Sequence, residues 1–122
     1  MSVDEISLTL PADEAFHRVA HLVLGGLAVR LEVTYEHLED IELALDTLLE
    51  RRHDTEDVTV RVQIGDGELR TLVGPFENEV LSELEHGSGD SLDLRRILEA
   101  VCDRVEVSDG WVELTKRING GR

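Results

Sequence analysis

The chain has 122 residues, 41% of them hydrophobic and 32% charged, a composition typical of one folded domain. Twenty-seven acidic and twelve basic residues give a formal charge of −15, which disfavours nucleic acid and anionic membranes as partners because both carry phosphate charge. A single cysteine excludes an internal disulfide, and no apolar run is long enough to span a bilayer. The N-terminus lacks the features of a secretory signal, so we expect a cytoplasmic protein.

The first quarter of the chain predicts a strand followed by a helix. Apolar residues alternate with polar ones from Ile6 to Leu10 and stop at Pro11, which is typical of a strand. Between Ala12 and Arg30, apolar residues recur at helical spacing and predict one buried face: Phe16, Val19, Ala20, Val23 and Leu27. Gly25-Gly26 would weaken an isolated helix, so we expect a neighbouring element to pack closely against them.

The middle of the chain predicts a second helix and a hairpin. Thr34 is a suitable N-cap for a helix that runs to about Arg52. Alternating apolar residues over Val58 to Ile64 and again over Leu69 to Val73 predict two strands. Gly65-Asp66-Gly67 between them offers residues that tolerate positive φ, so we expect an antiparallel hairpin.

The last third predicts a loop, a helix and a second hairpin. Glu83 to Asp90 is polar and glycine-containing, and we expect a mobile loop there. Leu92 to Cys102 has the apolar period of a helix, and Val105–Val107 and Trp111–Ile118 flank an Asp-Gly turn. This order predicts an α+β fold, a two-layer sandwich with about three helices on one face of a mixed, mostly antiparallel sheet.

The segment from Ser91 to Val107 and the ending Trp111 to Ile118 resemble the C-terminal part of the anti-sigma-factor serine kinases. Glu39 to Leu45 is similar to the opening of that family's second helix. The resemblance implies the ATPase fold of histidine kinases, Hsp90, gyrase B and MutL. It also implies a bacterial partner-switching role, in which family members bind a sigma factor or an antagonist protein, commonly as homodimers.

The family's phosphate-binding motif is altered. Members carry Gly-Leu-Gly-Leu at the start of the last helix, where the backbone approaches the nucleotide phosphates. This chain has Ser91-Leu92-Asp93-Leu94 at the matching positions. Asp93 adds a side chain and a negative charge where a polyanion would bind, so Ser91 and Asp93 are degenerate nucleotide-binding positions.

The family's catalytic and metal-binding motif, Glu-x-x-x-Asn in the second helix, is replaced by Thr47 and Arg51. Threonine is not a base near neutral pH, and a guanidinium has no lone pair for a cation. A shift of one residue places Asp46 and Glu50 there instead, and two carboxylates can hold magnesium. The alternative reading therefore keeps ATP and Mg as cofactors.

The adenine-reading motif, Asp-x-Gly-x-Gly, is also incomplete. Leu72, or Val73 with one residue of slippage, stands where the Asp belongs, whereas Gly74 is retained. An aliphatic side chain cannot accept the adenine hydrogen bond, which costs about 1–3 kcal/mol.

Because all three motifs depart together, we predict a noncatalytic regulatory module that binds a protein partner and no ATP. The alternative is a divergent Mg-ATP-dependent serine/threonine-protein kinase acting as an anti-sigma factor. A third reading is a purely structural oligomerisation module.

Other candidate residues favour structural roles. His17 and His21 have the spacing of a metal-binding pair, but we expect two solvated histidines at a helix edge. Cys102 lies among apolar residues of its helix and is expected in the core rather than as a nucleophile. Trp111 is predicted either to cap the core or to anchor an interface.

The second helix carries a run of acidic residues, for which we expect a solvated outer face, with a docking surface for a basic partner as the alternative. These residues are Glu36, Glu39, Asp40, Glu42, Asp46 and Glu50.

Overall fold

The computed structural model describes residues 4–30, 33–52, 56–86 and 94–118, which form one five-stranded antiparallel sheet and four α-helices. The strands are β1 (Asp4–Leu10), β2 (Val58–Gly65), β3 (Glu68–Gly74), β4 (Arg104–Ser108) and β5 (Trp111–Arg117). The helices are α1 (His17–Arg30), α2 (Tyr35–Arg51), α3 (Asn78–His86) and α4 (Leu94–Val101). The strand order is β1-β2-β3-β5-β4. The α+β fold class is therefore confirmed.

The sheet turns one face to the helices, and no helix or strand in the described part of the chain covers the other, which is called the uncovered face here. Val58, Val60 and Val62 of β2 are buried in the same core as the helix residues, and the positions between them are half-buried. Arg61 lies directly opposite Leu72 of β3 in the ladder. Because side chains alternate along a strand, Arg61 and Leu72 both point away from the helices.

Both hairpins have the predicted turns. Asp66 and Gly67 have φ of 55° and 73°, and Asp109 and Gly110 have φ of 51° and 86°. Positive φ at two central residues is the geometry that favours Asp-Gly, because it matches the twist of the flanking strands. Gly65, which the sequence assigned to the first turn, is instead the last residue of β2.

Helix α2 follows its sequence prediction closely. The Thr34 hydroxyl accepts the backbone N–H of His37 at 3.2 Å and caps the helix, and Arg52 is the C-cap. Its buried face contains Ile41, Ala44, Leu45, Leu48 and Leu49. None of the helices in the described part of the chain is long and apolar enough to cross a membrane.

Helix α1 is rotated relative to the sequence prediction. It begins at His17 after a 3-10 turn at Glu14–Phe16, and its buried residues are Ala20, Leu24 and Ala28. Phe16, placed by the periodicity at the start of the buried stripe, is 39% exposed. The sequence of α1 has two apolar stripes, offset by one residue, and either has the spacing of a buried face. The stripe with Ala20 and Ala28 is buried because small alanine side chains allow α1 to lie closer to its neighbours.

The expected close packing at Gly25-Gly26 was wrong. A Cβ built on either glycine meets no atom of the described residues within 4 Å. Leu22 and Val29, on the same side of α1, are 70% and 82% exposed. The apolar content of α1 is therefore divided between the core and an uncovered outer face.

The predicted loop from Glu83 to Asp90 was wrong in its first half, because Glu83 to His86 belong to α3. Val80 and Leu84, one helical turn apart, are 5% and 0% exposed, and their burial stabilises this short helix. Residues 87–93, including the rest of that loop, lie outside the described residues.

Candidate functional site

The end of α2, the middle of α3 and the start of α4 meet at one carboxylate, that of Glu83. Arg51 Nη1 donates to Glu83 Oε1 at 2.9 Å and to Oε2 at 2.8 Å. The backbone N–H of Leu94, the first residue of α4, donates to Glu83 Oε2 at 3.1 Å. The Glu83 side chain is 23% exposed, so these charge-assisted bonds are partly shielded from water.

This carboxylate lies at the helix end that the family resemblance assigns to the nucleotide phosphates. The first N–H groups of a helix have no partner within it and attract anions. Leu94 is the last residue of the segment that replaces Gly-Leu-Gly-Leu. In this chain the anion at that end comes from the protein itself. Ser91 and Asp93, the other positions predicted there, lie outside the described residues.

Thr47 and Arg51 are both engaged within the fold. The Thr47 hydroxyl donates to the carbonyl oxygen of Leu43 at 2.7 Å, within α2. Arg51 is paired with Glu83 and offers only donors. Thr47 is therefore not a base near neutral pH, and Arg51 has no lone pair for a metal ion.

The two residues predicted at the position of the adenine-reading Asp, Leu72 and Val73, lie on opposite faces of the sheet. Leu72 lies on the uncovered face opposite Arg61 and Glu113, away from α2 and α4. Val73, the position reached by one residue of slippage, faces the helices and is fully buried at 0% exposure. Gly74 lies against the indole of Trp111: a Cβ there would be 2.6 Å from Trp111 Cδ2.

The alternative metal pair, Asp46 and Glu50, faces α1. His21 Nε2 and Asp46 Oδ1 are 2.6 Å apart, and His21 Nδ1 is 3.6 Å from Glu42 Oε2. Asp46 and Glu50 line an open groove of about 570 Å³ together with His17 and His21. The described residues contain no cluster of three or more His, Cys, Asp or Glu side chains placed to hold a metal ion. The expectation that His21 is merely solvated was wrong, because it connects α1 to α2.

Comparisons with known proteins agree with this fold. Over 148 aligned positions the chain is 26% identical to the serine-protein kinase RsbW of Bacillus velezensis, covering 99% of this chain and 90% of that protein. The chain resembles the anti-sigma serine kinases. No protein-family model matches it.

A solved structure with the same fold contains the RsbU and RsbW domains of Rv1364c from Mycobacterium tuberculosis. It superposes with a TM-score of 0.67 at 19% identity over 94% of this chain. The chain spans 32% of that longer solved chain. The resemblance inferred from the sequence motifs is thus confirmed, and its fold is RsbW-like.

Cys102 has the environment of a core residue in this RsbW-like fold. It is 7% exposed, and burial raises the pKa of its thiol to about 11. The neutral thiol therefore dominates near neutral pH, which is unsuited to a nucleophile. The predicted core position is confirmed.

The acidic run of α2 is only partly a solvated surface. Asp40 Oδ2 is 2.8 Å from Lys116 Nζ, which also donates to the carbonyl oxygen of Val101 at 3.0 Å. Lys116 is the single lysine of the chain and is 15% exposed. The sequence did hold a signal for this ion pair, because alternation with Val112 and Leu114 places Lys116 on the helix-facing side of β5.

Trp111 lies on the uncovered face of the sheet rather than over the core. Its indole packs on Gly74, and the guanidinium carbon of Arg61 lies 5.5 Å from the ring centroid. This distance is typical of a cation–π contact. Of the two predictions for Trp111, core cap or interface residue, its position favours the second.

Proposed function

We propose that this chain is a noncatalytic regulator that resembles the anti-sigma serine kinases, binds a protein partner in the cytoplasm and does not use ATP. One observation carries the proposal: the Glu83 carboxylate, held by Arg51, occupies the N-terminus of α4. The partner class suggested by the resemblance is a sigma factor or an antagonist protein. Such binding uses the surface of the domain rather than the nucleotide pocket.

The bonds made by Glu83 oppose nucleotide binding in two ways. A triphosphate approaching α4 would meet a carboxylate of the same sign, in a protein whose formal charge is −15. Displacing Glu83 would also break its bonds to Arg51 and to the N–H of Leu94, and each charge-assisted bond contributes about 1.5–3 kcal/mol. Arg51 supplies no ligand for the magnesium ion that accompanies ATP.

Calorimetric titration with ATP and magnesium, and again with ADP, tests this proposal. We expect no binding heat and no thermal shift for the unaltered protein. Glu83→Gln removes the charge but keeps the shape of the side chain, and we expect it alone not to create a magnesium-dependent site. Micromolar binding by the unaltered protein would contradict the proposal. If Asp46→Ala weakened that binding, the divergent kinase would be supported.

The outer face of α1 suggests how the chain pairs with a second copy. Leu22, Gly25, Gly26 and Val29 lie within one strip of the helix surface, and Leu22 and Val29 are strongly exposed. The two glycines lie midway between the apolar side chains and allow a close approach. A twofold axis at the glycines would bring Leu22 of one copy against Val29 of the other, a self-complementary contact. We propose that α1 forms the homodimer contact implied by the resemblance.

Leu22→Asp is expected to convert a dimer into a monomer, because the antiparallel contact would bury a carboxylate against Val29 of the second copy. Sedimentation-equilibrium measurements at micromolar to millimolar concentrations would report the change, with the dissociation constant raised at least about tenfold. Leu43→Asp, at a 50% exposed position of α2, is the matched control and should leave the dimer intact. A monomeric unaltered protein, or equal effects of both variants, would contradict the contact at α1.

A further inference from the structure

The uncovered face of the sheet contains a groove that none of the proposed roles uses. Its volume is about 540 Å³, and Trp111, Leu72, Glu106 and Glu113 are among the residues that line it. The volume suits part of an extended peptide or a small ligand. The groove lies on the opposite side of the sheet from Glu83 and α4, so its occupancy is independent of nucleotide binding.

The floor of the groove is one row of side chains across four strands. Arg61 of β2 lies opposite Leu72 of β3, Leu72 opposite Glu113 of β5, and Glu113 opposite Glu106 of β4. Neighbouring strands are about 4.8 Å apart, so the row passes from a cation through an apolar residue to two carboxylates within about 15 Å. Trp111 stands beside this row, with its indole on Gly74.

The negative charge at the acidic end of the row is only partly compensated. Glu106 and Glu113 are direct cross-strand partners, an arrangement of like charges that destabilises a sheet. Arg104 Nε approaches Glu106 only to 3.9 Å, and Arg61 is directed towards Glu5, with Nε 3.4 Å from Glu5 Oε2. In the described part of the chain neither arginine pairs with Glu113. Asp109, in the turn at the groove's end, adds a third carboxylate.

We propose that this groove binds an arginine side chain from an extended segment of a partner protein. The aliphatic stem would lie on Leu72 and the edge of Trp111, and the guanidinium would lie between Glu106 and Glu113. A planar guanidinium can make paired hydrogen bonds to a carboxylate, and its weak hydration allows it to stack on an indole, as Arg61 already does. The added cation would relieve the repulsion between the two glutamates.

This inference rests on the proposed function only in taking a protein as the partner. The probe is a five-residue peptide, acetyl-Gly-Arg-Gly-Arg-Gly-amide, titrated into the isotopically labelled full chain at physiological salt. Backbone and indole N–H resonances report its location by NMR, and the fluorescence of Trp111, the single tryptophan, reports affinity. The same peptide with citrulline in place of arginine keeps the shape and removes the charge.

We expect saturable shifts at Trp111, Leu72 and Glu113 with the arginine peptide and none with the citrulline peptide. Glu113→Gln should weaken binding at least about fivefold and at the same time raise the melting temperature, because it removes the like-charge pair. Glu106→Gln should act in the same direction. Glu79→Gln, which removes the same charge from an exposed position of α3, should leave binding unchanged and should not raise the melting temperature.

The inference would be overturned by shifts spread over the acidic side chains of α2, by equal binding of the citrulline peptide, or by equal weakening in Glu79→Gln and Glu113→Gln. These outcomes do not depend on the ATP titration. If the protein bound both ATP and the arginine peptide, the proposed function would be contradicted but arginine binding in the groove would be supported. If the protein bound neither, only the inference of arginine binding in the groove would be contradicted.

Discussion

Replacing Gly74 by alanine is expected to lower the free energy of unfolding by about 2–3 kcal/mol. A Cβ at this position would lie 2.6 Å from Trp111 Cδ2, 2.9 Å from Cγ and 3.0 Å from Cε2, all atoms of a rigid ring. Gly74 is held in the ladder opposite Thr59, and Arg61 lies over the indole, so neither partner moves without breaking contacts. Urea unfolding followed by circular dichroism measures the change.

Gly26→Ala is the matched control for this prediction, measured at a protein concentration low enough to keep the chain monomeric, because Gly26 lies in the proposed α1 contact. No atom of the described residues lies within 4 Å of a Cβ at Gly26, and alanine is a better helix former than glycine by about 1 kcal/mol. Glycine-to-alanine substitution should therefore stabilise the protein at Gly26 in α1 and destabilise it at Gly74 in β3. Adding Trp111→Ala to Gly74→Ala should remove most of the additional cost, since the clash partner is then absent. A Gly74→Ala protein as stable as the unaltered one would show that the indole shifts freely.

Replacing Asp40 by alanine is expected to cost about 2 kcal/mol, which is below the usual 3–5 kcal/mol for a broken buried ion pair because Asp40 is 35% exposed. Lys116 would keep its hydrogen bond to the carbonyl oxygen of Val101 but lose its counter-ion at 2.8 Å. The lysine is 15% exposed, so water replaces the carboxylate poorly. Thermal unfolding followed by circular dichroism measures the loss.

Lys116→Met separates the cost of an unpaired charge from the loss of the ion pair. Methionine fills a similar volume without a charge, and the Asp40 carboxylate that remains is partly solvated, so we expect a change of less than about 1 kcal/mol. The double variant should resemble Lys116→Met alone. Equal losses for Asp40→Ala and Lys116→Met would show instead that the pair itself, rather than the desolvated lysine, contributes the stability.

At the positions of the nucleotide motifs, Glu83 makes a contact that the sequence alone did not indicate. The sequence identified missing groups at Thr47, Arg51 and Leu72, which is an argument from absence. The structure adds an interaction in place of the missing one, since Arg51 binds Glu83 and Glu83 binds the N–H of Leu94. The sequence predicted a loop at Glu83, because three apolar residues in nine give a weak helical period, and no local pattern indicated a pairing with Arg51.

The two surfaces proposed for partner contacts differ in character. The α1 strip is apolar and self-complementary, which suits a second copy of the chain. The groove beside Trp111 is acidic at one end and apolar in the middle, which suits an arginine-bearing segment. The sequence predicted a solvated acidic face on α2, with a docking surface as the alternative, but there Asp40 and Asp46 are engaged by Lys116 and His21. In the described part of the chain Glu113 of β5 has no ion pair, and Glu106 of β4 has only the 3.9 Å contact with Arg104.

The sequence by itself determined the features that depend on neighbours along the chain: the alternation of β2 and β3, the Thr34 cap, the Asp-Gly turns and the α+β order of elements. Local periodicity and backbone preference suffice for these, because each arises within a few residues. Only the tertiary structure decided which stripe of α1 is buried, that Glu83 occupies the start of α4, and that Leu72 and Gly74 of β3 lie beside Glu113 and Trp111 of β5. These contacts join residues far apart in the chain, and their partners are selected by packing and strand register, which no local pattern encodes.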